Sequence, residues 1–236
     1  MTRSFVTLSF ATLFLCTSLF VSSLAAQESK KSKPEFSFGA EVVSSYIWRG
    51  QNYNHTPSLQ PWAELSWRGF TFGTWSAFRV TGDGDDEIDL YIAKEAGPLT
   101  IALWDYWSYS KTNPGQYFNF KSETTSHMLE GQAILSFGEE NRFNFLFSSI
   151  FYGSDPSKSI YGEAEYTKTF GKNQLSLFTG YQFKGEYYHS SPGFVNLGCT
   201  YQRQIAVKEN FTPYVSLSFV VNPSAGSTYF IAALGF

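Results

Sequence analysis

The 236-residue chain predicts an all-β fold: a closed antiparallel transmembrane β-barrel of about 12 strands. Three observations lead there. Short segments alternate apolar with small polar residues, the period-two signature of strands with two different faces. Most of these segments reach the roughly 9 to 11 residues that a tilted strand needs to cross a bilayer, whereas strands of globular domains centre on about 5 or 6. The connections between them alternate tight and long, as in barrels with short turns at one end and loops at the other.

The elements follow in order. The first, 36–49, sets Phe36, Phe38, Ala40 and Val42 on one face and Glu41 and Arg49 on the other. In 58–68, Leu59, Ala63, Leu65 and Trp67 oppose Gln60, Glu64 and Arg68; Gly69 then turns the chain into 70–80, where Phe70, Phe72 and Phe78 oppose Arg79. The segment 86–95 places Ile88, Leu90 and Ile92 against Glu87 and Asp89, and Ala96-Gly97-Pro98 leads to 99–109 with Leu99, Ile101 and Leu103. In 127–137, Glu130 and Gln132 share a polar face; in 143–152, Phe143, Phe145 and Phe147 alternate with polar positions such as Asn144. Then come 159–170 with Glu163 and Glu165, 174–184 with Leu175, Leu177 and Tyr181 opposite Gln182, 194–206 with Asn196, and 211–221. The last element, 227–236, repeats Phe230, Ala232, Leu234 and Phe236 up to an aromatic end. The segment at 127–137 and the strand edges are the least sharply marked, and ten or fourteen strands remain open alternatives.

The apolar faces are almost free of charge, as lipid demands, since a charge at the bilayer midplane costs about 2 to 4 kcal/mol. Trp48, Trp67, Trp107, Tyr109, Tyr152 and Phe236 fall near strand ends, where aromatic girdles meet headgroups. Asp105 falls on the lipid face and predicts either a bulge or a register slip. The opposite faces collect the candidate pore-lining residues Glu41, Arg49, Glu64, Arg68, Arg79, Glu87, Asp89, Glu130, Glu163 and Glu165. Such a lumen is either a water-filled channel lined by mixed charge or a set of ion pairs that closes it. About twelve strands enclose a narrow space, between filled eight-stranded barrels and the wide channels of sixteen or more. Ser110 to Ser126 is the candidate for an inward constriction loop, and a loop folded over the outer rim is its alternative.

Both chain ends suggest an address in the outer membrane of a diderm bacterium. Arg3, the apolar run from Phe5 to Leu24 and Ala25-Ala26 read as a secretory signal peptide over 1–26, followed by a short periplasmic segment, 27–35, and the barrel, 36–236. An uncleaved anchor and a lipid-modified Cys16 are the competing readings; Leu15 before that cysteine speaks against the second. The terminal Phe236 resembles the signal read by the machinery that inserts such barrels. Without residues 1–26 the chain carries 16 basic and 20 acidic residues, a balance that argues against a nucleic-acid partner. Cys199 is then its single cysteine, so no intrachain disulfide framework forms.

Ser44-Ser45-Tyr46-Ile47-Trp48-Arg49-Gly50, Gly69-Phe70-Thr71-Phe72-Gly73-Thr74-Trp75 and Glu87-Ile88-Asp89-Leu90-Tyr91 together resemble TorF-family porins, with a weaker echo at Tyr161-Gly-Glu163-Ala-Glu165-Tyr166. The resemblance covers about the first third of the mature chain. It implies an outer-membrane barrel with pore activity and supplies no catalytic residues.

Constellations for other chemistry are sparse. His55, His127 and His189 are scattered, and no cofactor or metal is expected. His189-Ser190-Ser191 has the His-x-Ser spacing of outer-membrane lipid hydrolases, but Pro192-Gly193 follows as in a loop turn. Thr81 to Glu87 gathers acidic oxygens without the full spacing of a calcium loop. The expected function is a narrow, non-enzymatic channel for small hydrophilic solutes, in which Arg49, Arg68 and Arg79 face Glu41, Glu64, Glu87 and Asp89 across the lumen. A closed structural or adhesive barrel binding through Tyr117-Phe118-Asn119-Phe120, and a lipid-modifying enzyme, are the alternatives. The expected partners are outer-membrane lipids, the insertion machinery and the solutes.

Overall fold

The structure, a computed structural model, describes residues 33–82, 84–110, 116–205, 207 and 211–236. The expected signal peptide lies outside them. Alternating faces along the chain give β1 (Glu35–Val43), β2 (Tyr46–Trp48), β3 (Gln51–Asn54), β4 (Ser58–Trp67), β5 (Phe70–Arg79), β6 (Asp86–Ala96) and β7 (Leu99–Tyr109). They continue as β8 (His127–Phe137), β9 (Asn141–Gly153), β10 (Ile160–Phe170), β11 (Asn173–Lys184), β12 (Gly193–Gln204), β13 (Tyr214–Asn222) and β14 (Ser227–Gly235).

Twelve of these strands, β1 and β4 to β14, close into one antiparallel barrel, each paired with its neighbour in sequence order. Closure removes every free sheet edge, which is the condition for placing strands in hydrocarbon. The closing seam between β1 and β14 is short: Glu41, Val42 and Val43 pair with Gly235, Leu234 and Ala233. Three further bonds extend it. The Ser44 amide donates to Ala232 O at 2.9 Å, the Ala232 amide to Ser44 Oγ at 3.0 Å and the Phe236 amide to Ala40 O at 3.1 Å. Gly39 permits the last approach, since a Cβ there would sit 2.4 Å from the Phe236 carbonyl oxygen.

The two faces of the wall separate as expected. Phe36, Phe38, Phe72, Ile101, Phe147, Leu177, Leu217 and Phe230 are exposed on the outside. Trp75, Tyr91, Trp104, Tyr161, Tyr214 and Ile231 are buried inside, among Gln60, Asp89, Glu130 and Gln182. The interior is therefore filled with large aromatics as well as polar groups.

Three expectations need correction. The first strand ends at Val43, and the chain then turns inward as the separate hairpin β2–β3, which among the described residues pairs only with itself. Trp48 accordingly belongs to the interior, 5% exposed, and not to a girdle. Asp105 needs neither bulge nor slip: it stays in register opposite Leu90 and Leu129, facing outward, with Oδ1 2.7 Å from His127 Nδ1. His127 is itself fully buried, its Nε2 bonded to the Tyr117 carbonyl and its ring stacked on Phe120. The 116–126 part of the candidate constriction loop thus lies over the rim at the long-loop end, the reading the sequence favours over an inward fold.

The exposed belt has a direct test. Leu217→Arg, near the middle of β13, should lower unfolding stability in lipid vesicles by about 2 to 4 kcal/mol, read from urea titration. An unchanged urea midpoint would mean that this face does not meet hydrocarbon.

Candidate functional site: a luminal hairpin and its carboxylate partners

The hairpin β2–β3 is built to turn within the barrel. Arg49 and Gly50, its two central residues, have φ of 48° and 76°, the pair of left-handed conformations that a type I′ turn requires. Gly50 also meets a close wall, because a Cβ there would lie 1.8 Å from the Val195 carbonyl oxygen. Arg49 carries the less favourable of the two positions, since left-handed backbone costs a non-glycine residue about 1 to 3 kcal/mol. What holds it there is its side chain.

The Arg49 guanidinium reaches across the lumen to Glu130 on β8 as a two-pronged ion pair, with Nη1 2.6 Å from Oε1 and Nη2 3.0 Å from Oε2. Nη1 also donates to the Tyr188 hydroxyl. Its Cζ lies 4.4 Å from the Tyr161 ring centroid and 4.5 Å from that of Trp48. Glu130 is satisfied from the wall as well, accepting from the Tyr106 hydroxyl at 2.8 Å and from Gln132 Nε2 at 2.7 Å. A charged pair this deeply desolvated needs further hydrogen bonds on its free donors and acceptors, and Glu130 has them, while among the described residues Arg49 Nε has none.

Other side chains tie the hairpin at its flanks. The Tyr46 hydroxyl donates to Glu87 Oε1 at 2.9 Å, and Ser108 Oγ to Oε2 at 3.1 Å. Asn222 Nδ2 donates to the Gly50 carbonyl at 3.2 Å, and Gln51 Nε2 to the Tyr187 carbonyl at 2.8 Å. The loop that carries Tyr187 and Tyr188 is organised by Gln182, whose Oε1 accepts from the Tyr188 amide at 2.8 Å and whose Nε2 donates to the His189 carbonyl at 2.7 Å. Burial pushes the Tyr188 phenol well above its ordinary range, so it stays a neutral acceptor for Arg49.

The predicted pore-lining residues divide by place. Glu41, Glu64, Glu87, Asp89, Glu130, Glu163 and Glu165 all sit on the inward face. Of the three arginines, Arg49 alone lies among them, and on the hairpin rather than on the wall. Arg79 is held at the rim by Asp86, with Nε 3.0 Å from Oδ1. Arg68 occupies the exposed β4–β5 turn, φ 52°, its guanidinium over the Trp67 ring at 4.6 Å. The expected field between facing rows of arginines and carboxylates is therefore replaced by an acidic interior with one guanidinium at its centre.

Gln132 completes the site from the polar face that it shares with Glu130 in the sequence pattern, and Tyr188, Tyr161 and Tyr106 join it with no signal in the strand pattern. Tyr46, Trp48 and Arg49 carried a signal in the Arg-Gly pair, which between two polar-aromatic runs reads as a hairpin turn.

A small, largely enclosed cavity at the long-loop end adjoins this cluster, lined by Trp48, Tyr53, Glu87, Tyr106, Ser108 and Tyr187 among others. Elsewhere, Ser191 Oγ lies 3.3 Å from His189 Nδ1 within one exposed turn. Asp83, part of the acidic loop, is outside the described residues; among those described, no group of three or more His, Cys, Asp or Glu is arranged to hold a metal ion.

No protein-family model matches the chain, and no curated protein matches it in sequence.

The ion pair yields a two-step test. Arg49→Ala should destabilise the folded barrel by about 3 to 5 kcal/mol, because it strands the Glu130 carboxylate. Adding Glu130→Gln should recover most of that loss in a double-mutant cycle; strictly additive losses would mean that the two side chains do not interact.

Proposed function

We propose that the protein is an outer-membrane barrel forming a narrow channel that prefers cations, closed at rest by the β2–β3 hairpin. One observation carries this reading: an interior rich in carboxyl groups is occupied by a hairpin whose backbone is not part of the barrel sheet. A barrel with a purely structural role gains nothing from seven inward carboxyl groups. Apolar filling of the same volume is often as stable or more so, whereas acidic linings concentrate cations in a pore.

The attachment of the hairpin fits a removable closure. It is joined to the wall by the Arg49–Glu130 pair, the Tyr46–Glu87 bond, a few side-chain contacts to backbone and the packing of Tyr46 on Trp75 and Trp48 on Tyr106, all of them side-chain contacts outside the strand ladder, so its withdrawal leaves the ring of strands intact. The exposed apolar belt supports a lipid setting. The likeness of the Ser44–Gly50, Gly69–Trp75 and Glu87–Tyr91 stretches to TorF-family porins supports the same class, and Phe236 would serve insertion.

A second reading rests on the rim. Phe118 is 88% exposed at the tip of the segment clasped by His127, as an external binding loop would be. In that reading the barrel is a closed pedestal.

Planar-bilayer recordings separate the two. The wild-type protein should conduct weakly, and a variant with residues 46–54 replaced by a short Gly-Ser turn should conduct steadily. In a KCl gradient the reversal potential should favour K⁺, and Asp89→Asn in that background should reduce the preference. A silent bilayer with both the wild type and the hairpin variant would reject the channel and favour the pedestal.

A further inference from the structure

We propose that the wall around Glu130 is a binding site for the guanidinium group of a solute, and that Arg49 is its tethered occupant. This rests on the channel reading above and names the class of solute the channel would take.

The site is built by the barrel and its loop, not by the hairpin. Glu130 is held in place by Gln132 Nε2 and by the Tyr106 hydroxyl, which itself accepts from Gln132 Nε2 at 3.1 Å. The Tyr161 ring, over which the guanidinium lies, is fixed by its hydroxyl donating to Glu163 Oε2, and that oxygen also accepts from Asn196 Nδ2 at 2.7 Å. Tyr188 is positioned through its amide by Gln182. When the hairpin withdraws, Trp48 and Arg49 leave together, and the carboxylate, the stacking ring and the hydroxyl acceptor stay.

Those three groups match a guanidinium in particular. Glu130 offers two oxygens at fork spacing to two Nη atoms, a geometry that an ammonium cannot use, and Tyr161 offers a face to a planar cation. The contacts grip only the outer end of the group. Arg49 Nε is buried and has no hydrogen-bond partner among the described residues, so recognition does not depend on how the guanidinium continues into its chain. A small cavity at the long-loop end, lined by Glu87 and Tyr106, marks the side from which a solute would reach Glu130 once the hairpin withdraws, since Tyr106 bonds Glu130. An arriving alkylguanidinium competes with Arg49 for one carboxylate and thereby favours withdrawal of the hairpin.

Agmatine and cadaverine are suitable probes, one ending in a guanidinium and the other in an ammonium. In detergent solution, titration calorimetry should find agmatine bound at least tenfold more tightly by Arg49→Ala than by the wild type, and at least tenfold more tightly than cadaverine. Arg49→Ala/Glu130→Gln should lose that binding. The wild-type protein gives an arm that needs no variant: agmatine on the long-loop side of a planar bilayer should raise the open fraction, and cadaverine should not. Equal binding of the two probes, equal binding with and without Glu130, or a wild-type response to both probes alike would overturn the assignment. If the hairpin variant passes K⁺ while agmatine neither binds nor gates, this site alone fails. If agmatine binds as expected and no variant conducts, the channel reading fails instead.

Discussion

A carboxylate sealed inside a narrow ring of strands is stable as an ion when a cation meets it and hydrogen bonds surround it, and of the inward carboxyl groups Glu130 has both. Its pairing with Arg49 is what draws the chain after β1 into the barrel rather than out over the rim. From that one contact follow the left-handed backbone at Arg49, the glycine at position 50, the stacking of Trp48 and Tyr161 on the guanidinium, and the inward loop that brings Tyr188. The barrel supplies closure, and the pair decides what fills it.

The wall and its contents are stabilised by different means. Between neighbouring strands the backbone ladder runs over eight or more residue pairs everywhere except at the short β1–β14 seam, with local register shifts such as the one between Gly180 and Tyr181, and inward Thr and Ser add short cross-strand bonds, such as Thr200 Oγ1 to Ser218 Oγ at 2.8 Å. The hairpin has a ladder of only three residue pairs and otherwise relies on side chains. Such an element opens at lower free energy than the sheet around it, because local stability follows the density of hydrogen bonds and buried contacts. Outside the barrel, the His127–Asp105 pair performs a similar clasp for the 116–126 segment, with Trp107 and Phe120 against the imidazole.

The barrel was legible because its signals are local. Strand faces repeat every second residue, so Phe143, Phe145 and Phe147 declare an outward face without knowledge of any partner, and Gly69 or Gly171 declares a tight turn. The hairpin was hidden because its cue is weak beside the strand it follows: Tyr46-Ile47-Trp48 keeps a strand-forming composition after the barrel strand has ended, and only the lapse of alternation at Ser44-Ser45 marks the break. Which residue meets Glu130 is a contact over 81 positions, and alternation carries no information about it. Arg68 and Arg79 share the inward parity of Glu64 and Glu87, yet both lie at strand ends, where parity no longer fixes direction and a turn or a neighbouring carboxylate takes the side chain instead. Asp105 misled for the opposite reason. Its strand is regular, and the partner that tolerates a carboxylate on the outward face, His127, stands on the next strand.

The central claim is that residues 46–54 rest inside the ring, held by Arg49. Hydrogen–deuterium exchange of the purified protein in lipid vesicles, followed by mass spectrometry of peptides covering 45–55, addresses it most directly. The account predicts that these amides exchange far more slowly than those of the exposed 116–124 segment. Exchange of the two regions at the same rapid rate would contradict it, since a hairpin open to water on that timescale cannot be what fills the lumen.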